Sequence, residues 1–105
     1  MFFTYQKSRS TYNIELSKIM YFERNKRKIT VKTTEEDDEF YGSLEDIYTE
    51  LKDNKFFFIH KSFLVNYSFI KIFNNDKVIM ADGRELPISQ ARRKKIREKY
   101  LKMEG

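Results

Sequence analysis

The chain has 105 residues, of which 40% are hydrophobic, 35% charged and 16% aromatic, so it is long enough for one packed domain and too short for two. It holds no cysteine and one histidine, which excludes a disulfide framework, a thiolate nucleophile and a histidine-rich metal centre. No apolar run approaches the roughly 20 residues that cross a bilayer, and no signal peptide is visible, so we expect a cytoplasmic protein that does not act at a membrane.

The first half of the chain has the pattern of β-strands. The clearest case is the stretch from Ile29 to Thr33, where apolar and polar residues alternate with the period of a half-buried strand. The segment just before it, residues 23–28, is therefore predicted to be a basic hairpin tip. The stretches with strand character are residues 3–5, 12–14, 19–22, 29–33 and 40–41.

A helix is predicted to begin after Ser43, because its hydroxyl is placed to cap the first turn and Asp46 follows in capping-box spacing. Residues 56–59 are too few for a helix and too apolar for a surface, which favours a buried strand. Three further strand-like stretches follow, with a tight-turn pair at Asp82 and Gly83, and they predict an antiparallel meander. These stretches are residues 69–73, 77–81 and 84–86.

The final predicted element is a basic helix over residues 90–101, which Ser89 is placed to cap and Pro87 precedes. Residues 1–89 hold 14 basic and 14 acidic side chains, so the whole net charge of +5 lies in residues 90–105. The helix has a thin apolar stripe, which leaves three alternatives: a solvated helix, a helix resting on a partner, or a frayed charged tail. The stripe consists of Ala91, Ile96, Tyr100 and Met103.

Catalytic patterns are weak. His60 stands two residues from Ser62, but no oxyanion loop accompanies the pair, and a histidine bonded within a turn is the commoner arrangement. The acidic run at residues 35–39 offers ligands for Mg²⁺, but its side chains would point different ways on a strand or turn, and a solvated hairpin is the usual explanation. With three glycines in the chain there is no phosphate-cradling loop. We therefore expect no enzyme, no cofactor and no small-molecule substrate.

Binding to nucleic acid is better supported, because three polar and basic segments each lie beside a strand or at a helix start. Each segment mixes fixed positive charge with amide, imidazole or hydroxyl groups, which suit phosphates and the base edges of a major groove. An ordinary charged surface is the alternative explanation. The candidate DNA-binding residues are Arg24, Asn25, Lys26, Arg27, Lys28, His60, Lys61, Ser62, Ser89, Gln90, Arg92 and Arg93.

Residues 53–66 resemble the signature of the LytTR DNA-binding domain of bacterial transcriptional regulators. In that signature a short helix leads into an aromatic-rich strand, followed by the histidine that is His60 here, a polar residue, Ser62, an aromatic residue, two aliphatic residues and Asn66. The order of the flanking motifs agrees, and the resemblance spans about residues 10–101. The matching flanks are residues 19–23, 40–45, 69–72 and 82–89.

The resemblance implies a mainly β fold over residues 1–105, in which small antiparallel sheets stack as an elongated sandwich with a short central helix and a C-terminal helix. Family members insert loops into successive major grooves of bent duplex DNA. They commonly form the output half of response regulators in two-component systems, follow a receiver domain, and bind paired repeat sites as dimers. We therefore expect sequence-specific binding of double-stranded DNA in transcription regulation.

The same resemblance assigns base contacts to the segment from Arg24 to Lys28, to Lys61 and to the segment from Ser89 to Arg93. Many members carry arginine directly after the motif serine, where this chain has Gln90. Three rival functions stay open. One is a single-stranded RNA or DNA binder that stacks bases on Phe56, Phe57 and Tyr67. The others are a protein-interaction module with a basic tail and a metal-dependent nuclease.

Overall fold

The computed structural model describes residues 1–104, and its first element is an N-terminal hairpin. Strand β1 covers Phe2–Lys7 and pairs antiparallel with β2, Ser10–Glu15. Side chains alternate along β1: Phe3 and Tyr5 point inward and are buried, while their neighbours face solvent. The two buried rings attach the hairpin to the rest of the domain. Both stretches predicted here as strands are confirmed.

A five-stranded antiparallel sheet forms the centre of the molecule, with the strand order β5-β4-β3-β7-β6. Its two faces are both covered, because Phe56 on β6 packs with one group of buried side chains and Phe57 and Ile59 pack with another. The strands are β3 Ile19–Asn25, β4 Lys28–Thr33, β5 Asp37–Tyr41, β6 Phe56–His60 and β7 Phe63–Asn66.

Helix α1, Leu44–Leu51, crosses one face of this sheet together with the N-terminal hairpin. The Oγ of Ser43 accepts the backbone N–H of Asp46 at 3.2 Å, so the predicted N-cap is confirmed. The chain then makes a 3₁₀ turn over Lys52–Asn54 and reverses at Lys55, whose φ of 68° lies in the left-handed region. This reversal sends the chain directly into β6.

The predicted antiparallel meander is confirmed, and it covers the other face of the central sheet. It consists of β8 Ile70–Phe73, β9 Lys77–Met80 and β10 Glu85–Pro87, in the order β10-β9-β8. The turn before β10 depends on Gly83, which has a φ of 88° and donates its N–H to the carbonyl of Met80 at 2.8 Å.

The C-terminal helix differs from its prediction at both ends. The chain forms a 3₁₀ turn over Gln90–Arg92, and α2 then runs over Arg93–Glu104. The expected cap by the Ser89 hydroxyl is wrong: the side chain makes no capping bond, and the backbone carbonyl of Ser89 accepts the N–H of Arg92 at 2.9 Å instead. The tight i→i+3 bond of a 3₁₀ turn replaces the side-chain cap.

The thin apolar stripe of α2 does pack within the domain. Ile96 is buried among side chains of the central sheet and the meander, and Tyr100 stacks on Phe73 with 4.2 Å between the ring centroids. None of the three alternatives describes this packing, because the apolar stripe docks the helix on its own domain.

Three layers result: the hairpin with α1, the five-stranded sheet, and the meander with α2. The molecule extends 41 Å along its long axis and 25 Å along the other two. The expected mainly β architecture of small stacked antiparallel sheets with two helices is confirmed. Within residues 1–104, no helix combines the length and apolar character needed to cross a membrane.

Candidate nucleic-acid interface

Two of the basic segments are joined directly by a backbone hydrogen bond. The N–H of Arg24 donates to the carbonyl oxygen of Ser62 at 2.9 Å. This is possible because β3 and β7 are neighbours in the sheet, with Glu23 opposite Phe63. The β3–β4 turn and the β6–β7 turn therefore lie at the same end of the sheet. The sequence separates these turns widely, and the sheet brings them together.

The β3–β4 turn is shorter than its prediction. Only Lys26 and Arg27 lie outside the strands, because Asn25 ends β3 and Lys28 begins β4 and the two are paired. Lys26 has a φ of 61°, the left-handed conformation that a two-residue hairpin turn requires. The side chains from Asn25 to Lys28 are all exposed, so this turn presents a compact charged tip.

The third basic segment is fixed to the end of β6. The backbone N–H of Ser89 donates to the carbonyl oxygen of Ile59 at 2.8 Å, which places the start of the 3₁₀ turn beside His60. The guanidinium of Arg92 then lies over the ring of Phe58, 5.6 Å from its centroid. An aromatic side chain thus holds this arginine in place at the end of the sheet.

All three predicted segments therefore meet at one end of the central sheet. We call this surface the basic rim. It consists of the twelve predicted residues Arg24, Asn25, Lys26, Arg27, Lys28, His60, Lys61, Ser62, Ser89, Gln90, Arg92 and Arg93.

His60 sits inside the rim as a neutral base. Its Nδ1 accepts the backbone N–H of Ser62 at 3.1 Å, which assigns the proton of the neutral ring to Nε2. Partial burial lowers the pKa of His60 below its ordinary value, and the positive charges of Lys61 and Arg92 lower it further. The ring therefore fixes the β6–β7 turn without adding charge at neutral pH.

Several cations of the rim have no acidic partner. Arg24 pairs with Glu45 of α1 at 3.3 Å, and Lys28 lies 3.7 Å from Glu39. Within residues 1–104, no ion pair involves the remaining basic residues of the rim, so their charge is available to an anion. These residues are Lys26, Arg27, Lys61, Arg92 and Arg93.

Two rim residues are turned inward in part. The Oγ of Ser89 and the Nε of Arg93 are buried and lack a hydrogen-bond partner in the part of the chain that the structure describes. The Ser89 hydroxyl is therefore not exposed to solvent. Ser89 contributes to the rim through its backbone N–H, which bonds to Ile59. Gln90, in contrast, is exposed.

Lysines from neighbouring segments pair with four of the five carboxylates in the acidic run at residues 35–39. Glu35 pairs with Lys18 at 2.7 Å, and Asp37 pairs with Lys32 at 2.8 Å. Asp38 accepts Lys7 at 2.5 Å. In the described residues 1–104, no group of three or more His, Cys, Asp or Glu side chains is arranged to hold a metal ion. The run acts as the counter-charge of the sheet.

The stacking platforms suggested for a single-strand binder are mostly inaccessible. Phe56 and Phe57 are 0% and 1% exposed, so neither ring is able to receive a base. Tyr67 is half-buried, contacts Tyr100 and donates its hydroxyl to Glu104 at 3.4 Å. Core packing occupies the side chains on which that rival function depended.

Two contacts that shape the rim were not predicted. Phe58 supports Arg92, and Glu45 restrains Arg24. In a strand, Phe58 must face away from Phe57, but no local pattern identifies its distant partner. Such pairs become visible only when the sheet order is known.

The chain and its fold are similar to those of known proteins. A family model described as the LytTr DNA-binding domain matches residues 9–101. A solved structure of a LytTr DNA-binding domain from Bacillus cereus superimposes with a TM-score of 0.79 and 27% sequence identity, and the match covers 95% of each chain. No curated protein sequence matches the chain.

Proposed function

Because the chain belongs to the LytTR family of DNA-binding domains, which serve transcription regulation, we propose that its basic rim reads the sequence of double-stranded DNA. The observation that carries the proposal is the meeting of three basic segments at one end of the central sheet. Two backbone bonds hold them there, from Arg24 to Ser62 and from Ser89 to Ile59. Separate loops on one rigid support suit a regular duplex.

The shape of the rim supports entry into the major groove. A two-stranded ribbon fits this groove, which is about 12 Å wide, and the β3–β4 turn is such a ribbon with Lys26 and Arg27 at its tip. Lys61 projects from the neighbouring turn. We propose that separate bends of the rim enter successive major grooves and that the duplex bends to meet them.

Side-chain chemistry divides the rim into two roles. We assign base-edge or adjacent phosphate contacts to Arg27, Lys28, Lys61 and Arg92, and we assign to Gln90 a bidentate contact with an adenine. A second group sets the register through phosphates, and Arg24 within it must share its guanidinium with Glu45. This second group consists of the rim residues Arg24, Lys26 and Arg93, together with the adjacent Lys94.

The biological setting follows by analogy with the relative. The parent protein of the Bacillus cereus domain is described as a methyl-accepting/DNA response regulator. We propose that residues 1–105 form one output domain of this kind, which acts in the cytoplasm on paired repeat sites as a dimer and is controlled by a receiver domain. The proposed role needs no cofactor, and the LytTR family is defined by DNA binding and not by catalysis.

The decisive experiment is selection of bound duplexes from a random pool. A shared motif in the selected pool supports sequence-specific binding, and two copies at a fixed spacing support the dimer. Single-stranded oligonucleotides of the selected sequence then serve as competitors. Competition by the single strand equal to that by the duplex, or a pool without any motif, would contradict the proposal.

A matched pair of variants tests the location. Replacing both Lys26 and Arg27 with serine removes two unpaired charges from the rim, and replacing Lys52 and Lys71 with serine removes the same charge from exposed positions elsewhere. We expect the first variant to lose the selected motif and the second to keep it. Equal losses in both variants would indicate that only net charge matters.

A further inference from the structure

A groove of about 540 Å³ lies between α1 and α2, outside the basic rim except at one end. Its floor is aromatic: Tyr48 of α1 and Phe58 of β6 meet there with 5.2 Å between their ring centroids. Both side chains are half-buried and not sealed in the core. The groove therefore exposes hydrocarbon that the domain itself does not cover.

The wall of the groove is strongly basic. Arg92, Lys95, Lys99 and Lys102 line it, with Glu98 as the single acidic residue. Their spacing of three or four residues places the α2 members on one side of the helix. Within residues 1–104, none of these five side chains forms an ion pair. An acidic partner would complement this wall, because the basic side chains of the wall have no ion pair within the described part of the domain.

The ring faces of the floor are already occupied. The ammonium of Lys99 lies 5.6 Å from the centroid of Tyr48, and the guanidinium of Arg92 lies 5.6 Å from that of Phe58. A nucleobase, which stacks on a ring face, would have to displace these cations. Aliphatic side chains need only the ring edges and the lysine stems, so the groove favours an aliphatic anchor.

The groove begins at the rim and extends away from it along α2. Arg92 lies at the rim, and at a rise of about 1.5 Å per residue Lys102 lies roughly 15 Å farther along the C-terminal segment. Duplex phosphates would need positive charge alone and would gain nothing from a hydrocarbon floor. A protein helix with aliphatic residues on one face and carboxylates beside them satisfies both features.

We propose that the groove between α1 and α2 binds an acidic amphipathic helix of a partner protein. Aliphatic side chains of that helix contact Tyr48 and Phe58, and its carboxylates pair with Lys95, Lys99 and Lys102. The partner helix lies beside the DNA site and not within it, so one domain holds a duplex and a protein at the same time.

A synthetic helical peptide with leucines along one face and glutamates on the others serves as the probe. Fluorescence anisotropy measures its affinity, and NMR follows the ring resonances of Tyr48 and Phe58. We expect binding that shifts both rings and weakens about tenfold or more when the glutamates become glutamines or the leucines become serines. Undiminished binding of the serine peptide, or unmoved ring resonances, would overturn the proposal.

The variant Lys99→Glu tests the wall, and Arg97→Glu on another side of α2 is its control because the charge change is identical. We expect Lys99→Glu to weaken the peptide roughly tenfold or more and Arg97→Glu to change it little, with equal duplex affinities for both. Equal peptide losses overturn the proposal. A selective loss of duplex affinity in Lys99→Glu also overturns it, since the groove would then belong to the DNA site. Should Lys99→Glu fail to fold, the peptide series on the unaltered protein still decides.

Discussion

The backbone N–H of Arg24 lies 2.9 Å from the carbonyl oxygen of Ser62, and this single bond links two turns that are distant in the sequence. The turns therefore act as one rigid edge and not as two independent loops. Rigid placement matters for a reader of DNA sequence, because base contacts discriminate only when their donors are held at fixed positions.

Lys61 provides a direct test of base reading, since its side chain is exposed and has no ion pair in the described residues 1–104. We expect Lys61→Ala to weaken binding to the selected site by about 1–3 kcal/mol and to relax sequence preference. Fluorescence anisotropy on selected and random duplexes measures both effects. Lys71→Ala, an exposed lysine of β8, is the control, and equal losses on both duplexes would reassign Lys61 to phosphate contact.

Salt dependence reports the number of phosphates that the rim neutralises. Binding should weaken steeply as salt rises, with a slope of about −0.9 in log affinity per phosphate. The unpaired cations of the rim, such as Arg27 and Lys61, predict a slope of several units. The slope should become shallower by about one unit for each such residue removed. A nearly flat dependence would contradict an electrostatic interface.

His60 predicts a dependence of stability on pH. Burial, followed by the charges of Lys61 and Arg92, lowers its pKa in the folded protein below the ordinary value of 6.5. Between these two values the unfolded chain binds more protons, so stability is complete above 6.5 and is lost as pH falls through the folded pKa. Urea unfolding across this range measures the change.

The control for His60 is the variant His60→Gln, which retains polarity without titrating. We expect its stability to vary less with pH above the range where carboxyl groups protonate. Because the chain has one histidine, NMR titration of the wild-type ring gives the folded pKa without ambiguity. A folded pKa above 6.5, or equal pH profiles for both proteins, would contradict the prediction.

Tyr5 tests the attachment of the N-terminal hairpin to the central sheet. Its hydroxyl donates to Asp38, and its ring stacks on Phe40 with 4.4 Å between the centroids. Tyr5→Phe keeps the ring and removes the bond, so we expect a loss of about 1 kcal/mol in the free energy of unfolding. Tyr12→Phe, on the exposed strand β2, should change stability by less than about 0.5 kcal/mol. Equal losses of unfolding free energy in the two variants would show that the bond to Asp38 adds no stability beyond that of an exposed tyrosine hydroxyl.

The same contact predicts sensitivity to acid. Partial burial would raise the pKa of Asp38, but hydrogen bonds from Lys7 and Tyr5 outweigh it and hold the pKa below its usual range. The contribution of Asp38 is therefore present at neutral pH and lost as pH falls through its folded pKa. Tyr5→Phe should reduce this loss in urea unfolding measured under acidic conditions, and an unchanged acid profile would argue against it.

Most of the fold could be predicted from the sequence because its determinants are local. The alternation around Ile29 and Val31 defines a strand, and the Ser43 cap defines the start of α1. The start of α2 was predicted incorrectly, since the carbonyl of Ser89 and not its hydroxyl receives the bond from Arg92. Side-chain and backbone caps have the same sequence pattern, so only the three-dimensional structure distinguishes them.

The residues of the candidate site could be predicted from the sequence, but their meeting in space could not. Clusters such as Arg24 to Lys28 are visible as charge runs, but their approach to Lys61 depends on β7 pairing with β3. Strand order is a property of the whole domain, and no short pattern encodes it. The support of Arg92 by Phe58 depends on the same long-range arrangement.

The bond from Ser89 to Ile59 has a consequence for solubility. Strand β6 is the last of its sheet, and a strand in that position offers unsatisfied peptide groups to any passing chain. The segment ahead of α2 satisfies one of these groups, and α2 packs Ile96 into the same buried cluster as Ile59, so together they shield the flank of β6. A protein shortened before residue 89 would expose the free edge of β6, and we expect it to aggregate. The C-terminal segment therefore protects solubility, a role that its basic charge alone does not indicate.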